Sequence, residues 1–291
     1  MKTITSTLGC LLALGMLSSA QAQPTFLATQ ASTLYRFQSP SAVSTFTLST
    51  RVVGMTTVPA GMNVGNLNGG ASGGDVLCFG IGGIFRLDDA LGLAPTLTLI
   101  ANANQGTASP VFVGTRLFGP ASIAPGISTF VEINPTDFSQ ISEIPMGLPF
   151  GTGGMVATSA TDFICSNQQT DMIYRYHMGD TFSTSIGPVP NADYGGMEEY
   201  GGTIYATFSL APAGSGRFVF GSISPTDGSF TQLADLDTYY NTDGVTGLAI
   251  LSSTSAPEPG TLGLLALGIM GGGVVVRSGG VVVRNRKGRT L

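Results

Sequence analysis

The segment Met172-Ile173-Tyr174-Arg175-Tyr176 decides the fold, because segments like it return along the whole central part of the chain. Aromatic and β-branched residues in a short run bounded by turn formers read as a strand. The related segments are Thr33-Leu34-Tyr35-Arg36-Phe37, Gly83-Ile84-Phe85-Arg86-Leu87-Asp88, Thr129-Phe130-Val131-Glu132-Ile133-Asn134-Pro135-Thr136-Asp137 and Arg217-Phe218-Val219-Phe220-Gly221-Ser222-Ile223. From Leu34 to Ile84, Phe130, Ile173 and Phe218 the steps are 50, 46, 43 and 45 residues. Periods of about 40–50 residues belong to propeller blades.

Working outward from this marker, each copy is followed by a turn and another strand, as at Phe182-Ser183-Thr184-Ser185-Ile186 and Phe230-Thr231-Gln232-Leu233. Asn134-Pro135-Thr136-Asp137 and Ser224-Pro225-Thr226-Asp227-Gly228 carry type I turn residues, with Pro at the second position. A further strand pair precedes the marker, clearest at Gly195-Gly196-Met197 and Gly201-Gly202-Thr203-Ile204-Tyr205-Ala206, which makes about four strands per unit. At one end, Gly244-Val245-Thr246-Gly247-Leu248-Ala249-Ile250 reads as an opening strand without followers. At the other, Leu34 to Leu48 reads as closing strands without an opener. Joining the two completes a fifth blade and closes a ring. The expectation is an all-β, five-bladed β-propeller over residues 23–251, followed by one C-terminal transmembrane-type helix. Another blade number, a β-sandwich and a β-solenoid are the competing architectures.

The two ends read as addresses. Residues 1–22 have the form of a secretory signal peptide: Lys2, an apolar stretch from Leu8 to Leu17, then the small residues of Ser18-Ser19-Ala20-Gln21-Ala22. Cleavage is expected after Ala22. Residues 252–260 form a polar linker ending in Pro257-Glu258-Pro259-Gly260, and residues 261–291 hold an apolar run and a basic tail. The prolines keep the entering chain extended. Thr261 to Val276 is uncharged and would make about 24 Å of helix. Arg277 must then snorkel or end the span. With Arg277 stand Arg284, Arg286, Lys287 and Arg289, a basic stop that predicts a cytoplasmic C-terminus and an exported main domain.

In this Pro-Glu-Pro triplet, apolar helix and Arg-rich terminus, the chain resembles the PEP-CTERM sorting domain. The resemblance covers the 35 residues from Pro257 to Leu291. It implies recognition by an exosortase, a membrane transpeptidase found in bacteria that make extracellular polysaccharide. The protein would be anchored transiently and then reach the cell surface or the medium. The resemblance implies nothing about the exported domain's own activity.

Charge narrows the partners. The 291 residues include only 10% charged side chains, and between Gln23 and Ala256 six Arg face sixteen Asp or Glu with no Lys. A formal −10 there repels polyanions, so nucleic acid is excluded as a partner.

Chemistry-bearing constellations are sparse. Gly70-Ala71-Ser72-Gly73-Gly74 matches a nucleophile-elbow pattern, but a strand rather than a helix follows it. His177 is the single histidine; it could serve Ser72 with Asp88 or Asp171, and it reads more simply as a surface or packing residue. Cys78 and Cys165 are a candidate disulfide in an oxidising compartment, or two buried thiols. Asp235, Asp237, Asn241 and Asp243 offer hard oxygens without EF-hand spacing. Glu198 and Glu199, beside Tyr194 and Tyr200, form a candidate sugar-contacting patch, although neighbours on a strand point to opposite faces. Gly80-Ile81-Gly82-Gly83 precedes a strand and is not a dinucleotide loop. No cofactor or metal is expected. The functional expectation is a non-enzymatic exported protein of the cell envelope or extracellular matrix, sorted by an exosortase. Extracellular polysaccharide is a candidate partner. The alternatives are a secreted polysaccharide-acting hydrolase or lyase and a carbohydrate-binding propeller.

Overall fold

The computed structural model describes residues 23–251, apart from residues 40, 60, 65–66, 69–74, 103–108, 125–126, 150, 190–194, 211–216 and 238–245. Residues 1–22, read above as a signal peptide, the Pro-Glu-Pro motif, the apolar run and the basic stop lie outside the described residues.

Five four-stranded antiparallel sheets make up the compact unit Pro24–Ser252. Blade 1 consists of β1 (Thr25–Gln30), β2 (Thr33–Phe37) and β3 (Ser44–Thr47), with β22 (Thr246–Leu251) ahead of β1 in spatial order. Blade 2 holds β4 (Val52–Thr57), β7 (Val76–Gly80), β8 (Gly83–Asp88) and β9 (Thr96–Ala101). Between β4 and β7 a two-stranded hairpin is inserted, β5 (Asn63–Val64) with β6 (Leu67–Asn68). Blade 3 is β10 (Val111–Val113), β11 (Arg116–Ala124), β12 (Ile127–Ile133) and β13 (Gln140–Leu148). Blade 4 is β14 (Thr152–Ala157), β15 (Asp162–Asn167), β16 (Met172–His177) and β17 (Thr184–Pro188). Blade 5 is β18 (Gly196–Tyr200), β19 (Thr203–Leu210), β20 (Arg217–Ile223) and β21 (Phe230–Asp237). The marker segments are β2, β8, β12, β16 and β20, the third strand of every blade.

First strands pack in a closed circuit, β22 on β4, β4 on β10, β10 on β14, β14 on β18 and β18 on β22. The architecture is a five-bladed propeller. Burial falls from the axis outward: every residue of β22 is buried, whereas no residue of β3 or β9 is. Five apolar clusters each fill one blade junction. Leu77, Phe79, Leu117 and Val131 join blades 2 and 3, and Val156, Ile164, Met197 and Phe208 join blades 4 and 5. At the junction of blades 3 and 4, Phe118 stacks on Phe130 with ring centroids 5.0 Å apart while Phe163 meets both edge-on. Each such buried ring contributes about 1.5–3 kcal/mol.

Glycine allows the innermost strands to touch. A β-carbon on Gly154 would lie 2.6 Å from the carbonyl oxygen of Gly195, and one on Gly196 would lie 2.5 Å from the carbonyl carbon of Gly247. The sequence pairs each of these ring glycines with a packing residue: Gly54-Met55, Gly154-Met155, Gly196-Met197 and Gly247-Leu248. Blade 3 departs from the pattern and places Ser109 there, its backbone against Gly54.

The marker arginine clamps neighbouring blades. Arg36 donates from Nη1 to the carbonyls of Ala90 (3.1 Å) and Gly92 (2.6 Å), in the loop joining β8 to β9. Arg175 donates from Nη2 to the carbonyl of Pro225 (2.7 Å), the equivalent loop of blade 5. Arg86 instead pairs with Asp88 in its own strand.

One sequence expectation is extended and one is corrected. The turns at Asn134 and Ser224 are closed over five residues, from residue five to residue one. The Phe138 amide donates to the Asn134 carbonyl (2.8 Å), and the Gly228 amide to the Ser224 carbonyl (2.9 Å). Phe138 and Gly228 accordingly take φ of 59° and 68°, while Asp137 and Asp227 accept from Ser139 and Ser229. Phe182 and Ser183 precede β17 instead of opening it, and Phe182 is 75% exposed over blade 3, where it approaches Gly147.

Candidate functional site

The two ends of the propeller meet. β22 pairs with β1 along its whole length, from Thr25 opposite Leu251 to Gln30 opposite Thr246. The chain therefore enters and leaves the ring at one point on one face. The Thr57 hydroxyl donates to the Ile250 carbonyl (3.0 Å), and a β-carbon on Gly247 would reach the Met55 amide nitrogen (3.1 Å). β22 and β4 therefore run in the same direction, and Leu251 ends at the level of Thr57.

Polar bonds fix this closure from both sides. Thr246 Oγ1 accepts from the Gly196 amide (2.9 Å) and reaches the Thr207 carbonyl (3.2 Å). Gln30 Nε2 donates to Ser209 Oγ (2.9 Å), a buried bond between blades 1 and 5. The Tyr35 hydroxyl donates to Asp237 Oδ2 (2.7 Å), and burial together with this carboxylate drives the phenol far above its ordinary pKa. Buried bonds of this kind each add about 1 kcal/mol net, and leaving one partner alone costs more.

The ring around the axis is built of small residues. Ser109 Oγ donates across it to the Gly195 carbonyl (3.1 Å), linking blade 3 to blade 5. The acid–base candidates stand elsewhere. His177 ends β16 at an exposed position, with Nδ1 2.9 Å from Asp162 Oδ1. The Asp162 bond holds His177 above its usual pKa, while Ser159 and then His177 hold Asp162 below the usual carboxylate range. Asp88 is engaged by Arg86 and Thr98. Ser72 and the rest of the elbow pattern, Gly70 to Gly74, lie outside the described residues. Among the described residues, no three His, Cys, Asp or Glu side chains stand together as a metal site would need.

No Cys78–Cys165 bridge is present: both are free thiols, fully buried. They occupy the second strands of blades 2 and 4 and belong to separate apolar clusters, so equivalent repeat positions keep them apart. Burial pushes both thiols up, Cys165 to about 12.

Asp235 and Asp237 of the calcium reading are also occupied, Asp235 by Gln232 (3.0 Å) and Arg217 (3.5 Å) and Asp237 by Tyr35. Asn241 and Asp243 lie outside the described residues, as does Tyr194 of the sugar patch. Glu198 and Glu199 do point to opposite faces. Glu199 accepts from the Gly202 amide (2.6 Å), whereas Glu198 shares its face with Tyr200 and sits opposite Tyr205. Burial and then the Glu199 charge push the Glu198 carboxyl well above its usual range. Sequence reasoning missed Tyr205, although the antiparallel hairpin turning at Gly201-Gly202 was the signal that pairs it with Glu198. A groove of about 610 Å³ between blades 4 and 5 is lined mainly by Pro188, Val189, Leu210 and Phe230.

Comparison with known proteins identifies residues 255–278 as a PEP-CTERM protein-sorting motif. The chain thus carries the signal of an exported protein that an exosortase sorts. No curated protein matches the chain. Among solved structures, a protein of unknown function from Bacteroides caccae is similar at 9% identity and a TM-score of 0.43, over 78% of this chain and 99% of that one. A puromycin-hydrolyzing peptidase from Mycobacterium tuberculosis gives 15% identity and a TM-score of 0.35, over 72% of this chain and 37% of the peptidase. A protein from Lactobacillus plantarum gives 12% and 0.35, over 79% and 71%. At these values the likeness says nothing about activity.

Proposed function

We propose, taking the sorting motif at residues 255–278 as the premise, that this protein is a non-enzymatic component of the cell envelope or extracellular matrix. The exosortase is its processing partner, and the propeller is the cargo delivered outside. The observation that carries this reading is position: the motif begins four residues after Leu251, the last residue of the strand that closes the ring. A complete, separately closed domain is thereby joined directly to a sorting signal. The small residues around the axis and the peripheral, ion-paired His177 support a scaffold over a catalyst.

The test is fractionation of cells making the full chain or a variant with Pro257, Glu258 and Pro259 all changed to Ala. The parent is expected at the surface or in the medium with its tail processed, and the variant in the membrane with its tail intact. Identical distributions would overturn the reading. A second reading, carbohydrate binding, draws support from Glu198, Tyr200 and Tyr205 sharing one face of blade 5. Glycan-array binding that disappears in Tyr200→Ala would favour it.

A further inference from the structure

We propose that the propeller face where Thr25 and Leu251 emerge is the surface that meets the membrane-resident processing enzyme, and that docking of β22 sets how far the sorting motif reaches. This rests on the reading that the Pro-Glu-Pro motif is processed.

Leu251 is not a loose end. It is buried, paired with Thr25, and ends a strand flanked by β1, β4 and β18. Thr246 at the start of the same strand is bonded into blade 5, and Ile250 into blade 2. Beyond Leu251 only Ser252-Ser253-Thr254-Ser255-Ala256 precede Pro257. Whatever its conformation, that chain cannot extend beyond about 20 Å. An enzyme acting on the motif of a closed propeller must therefore come within that distance of Leu251, on the face where the ring ends. If β22 were released, its six residues would join the linker and extend the limit to about 40 Å.

Near the axis this face is low: the turns after β10 and β18 are two residues each, Gly114-Thr115 and Gly201-Gly202, and the one after β14 spans residues 158–161. Farther out, the loops after β2, β8, β12, β16 and β20 open on the same face and run to six or seven residues. The longest connection on this face follows β4, from Val58 to Asp75, and carries the β5–β6 hairpin. Val58 and Val64 anchor it to the apolar cluster of blades 2 and 3.

The experiment measures the processed fraction of the full chain, by mass, in a host that processes it. Deleting residues 252–254 shortens the maximum reach to about 10 Å and is expected to lower processing about tenfold, since effective concentration collapses once a linker cannot span its sites. Replacing the same three residues by Gly-Ser-Gly should leave processing at the parent level. Adding Gly247→Val to the deletion crowds Thr29 and Met55, loosens the docking of β22 and should raise processing about twofold or more over the deletion alone. Normal processing of the deletion variant would overturn the proposal. Loss in the Gly-Ser-Gly variant would also overturn it, because composition and not length would then be read. Failure of Gly247→Val to rescue, with the protein still present at the membrane, would overturn the role of β22. If Pro257, Glu258 and Pro259 can all be changed to Ala without effect, the sorting reading itself fails, independently of linker length.

Discussion

Replacing Gly196 with Ala tests whether the ring is closed by backbone contact. Gly196 has an ordinary φ, so alanine is acceptable to its own backbone, and any cost must come from what the new methyl meets. It meets the main chain of β22: the Leu248 amide nitrogen, the Gly247 carbonyl carbon at 2.5 Å and the Gly247 α-carbon at 2.8 Å. These atoms are held by the Thr25–Leu251 ladder and cannot swing aside as a side-chain tip would. Overpacking usually costs about 1–3 kcal/mol, and rigid neighbours place this case near 3. For a domain of this size that is about 6–12 °C in Tm. Thermal unfolding of the exported protein, followed by circular dichroism, measures it. Gly201→Asn is the control: Gly201 has φ +61° with nothing near its β-position, and Asn tolerates that conformation, so the loss should be a few tenths of a kcal/mol. A Gly196→Ala protein melting within about 1 °C of the parent would refute the argument that β18 and β22 touch through their backbones.

Removing the inter-blade clamp by Arg36→Ala should lower stability by about 1–2 kcal/mol in urea unfolding, and Arg36→Lys should recover only part of it, because one ammonium cannot reproduce the fork across Ala90 and Gly92. His177, the single histidine, should titrate by NMR above 6.5 and return toward 6.5 in Asp162→Asn. Its raised folded pKa means that its contribution is complete below about 6.5 and disappears as pH rises through the folded value, whereas the depressed Asp162 loses its contribution as pH falls below about 4. The pair thus acts between those limits. Cys78 and Cys165 should be inert to a thiol reagent in the native protein and both react in urea, with no mass change on reduction.

Much of the architecture was legible because a propeller repeats its grammar. The marker strand, its period and the two incomplete ends sufficed for five blades and for closure of the ring by the C-terminal strand, but β1 (Thr25–Gln30), the strand that β22 pairs with, went unread. What the marker arginine does was not legible: Arg36, Arg86 and Arg175 look alike in sequence, yet two bond to the next blade and one bonds within its own strand. That difference depends on which loop the neighbouring blade presents. The ring glycines were visible as residues but not as contacts, since a Gly beside Met has many local explanations. The cysteines occupied equivalent repeat positions, and equivalence in a ring means separation by rotation, which spacing alone does not convert into distance. Glu198 was read beside its neighbours along the chain, whereas its environment comes from across the hairpin.

The pairing of Thr25 with Leu251 spans 226 residues, close to the largest separation the exported domain permits. A polypeptide synthesised from its N-terminus delivers Phe26, Leu27 and Ala28 first and the strand that covers them last. Until then β1 offers an open hydrogen-bonding edge, and the ring cannot close. A chain truncated before Thr246 lacks the innermost strand of blade 1, which leaves Phe26, Leu27 and Ala28 without their β22 partners and β1 as an open edge.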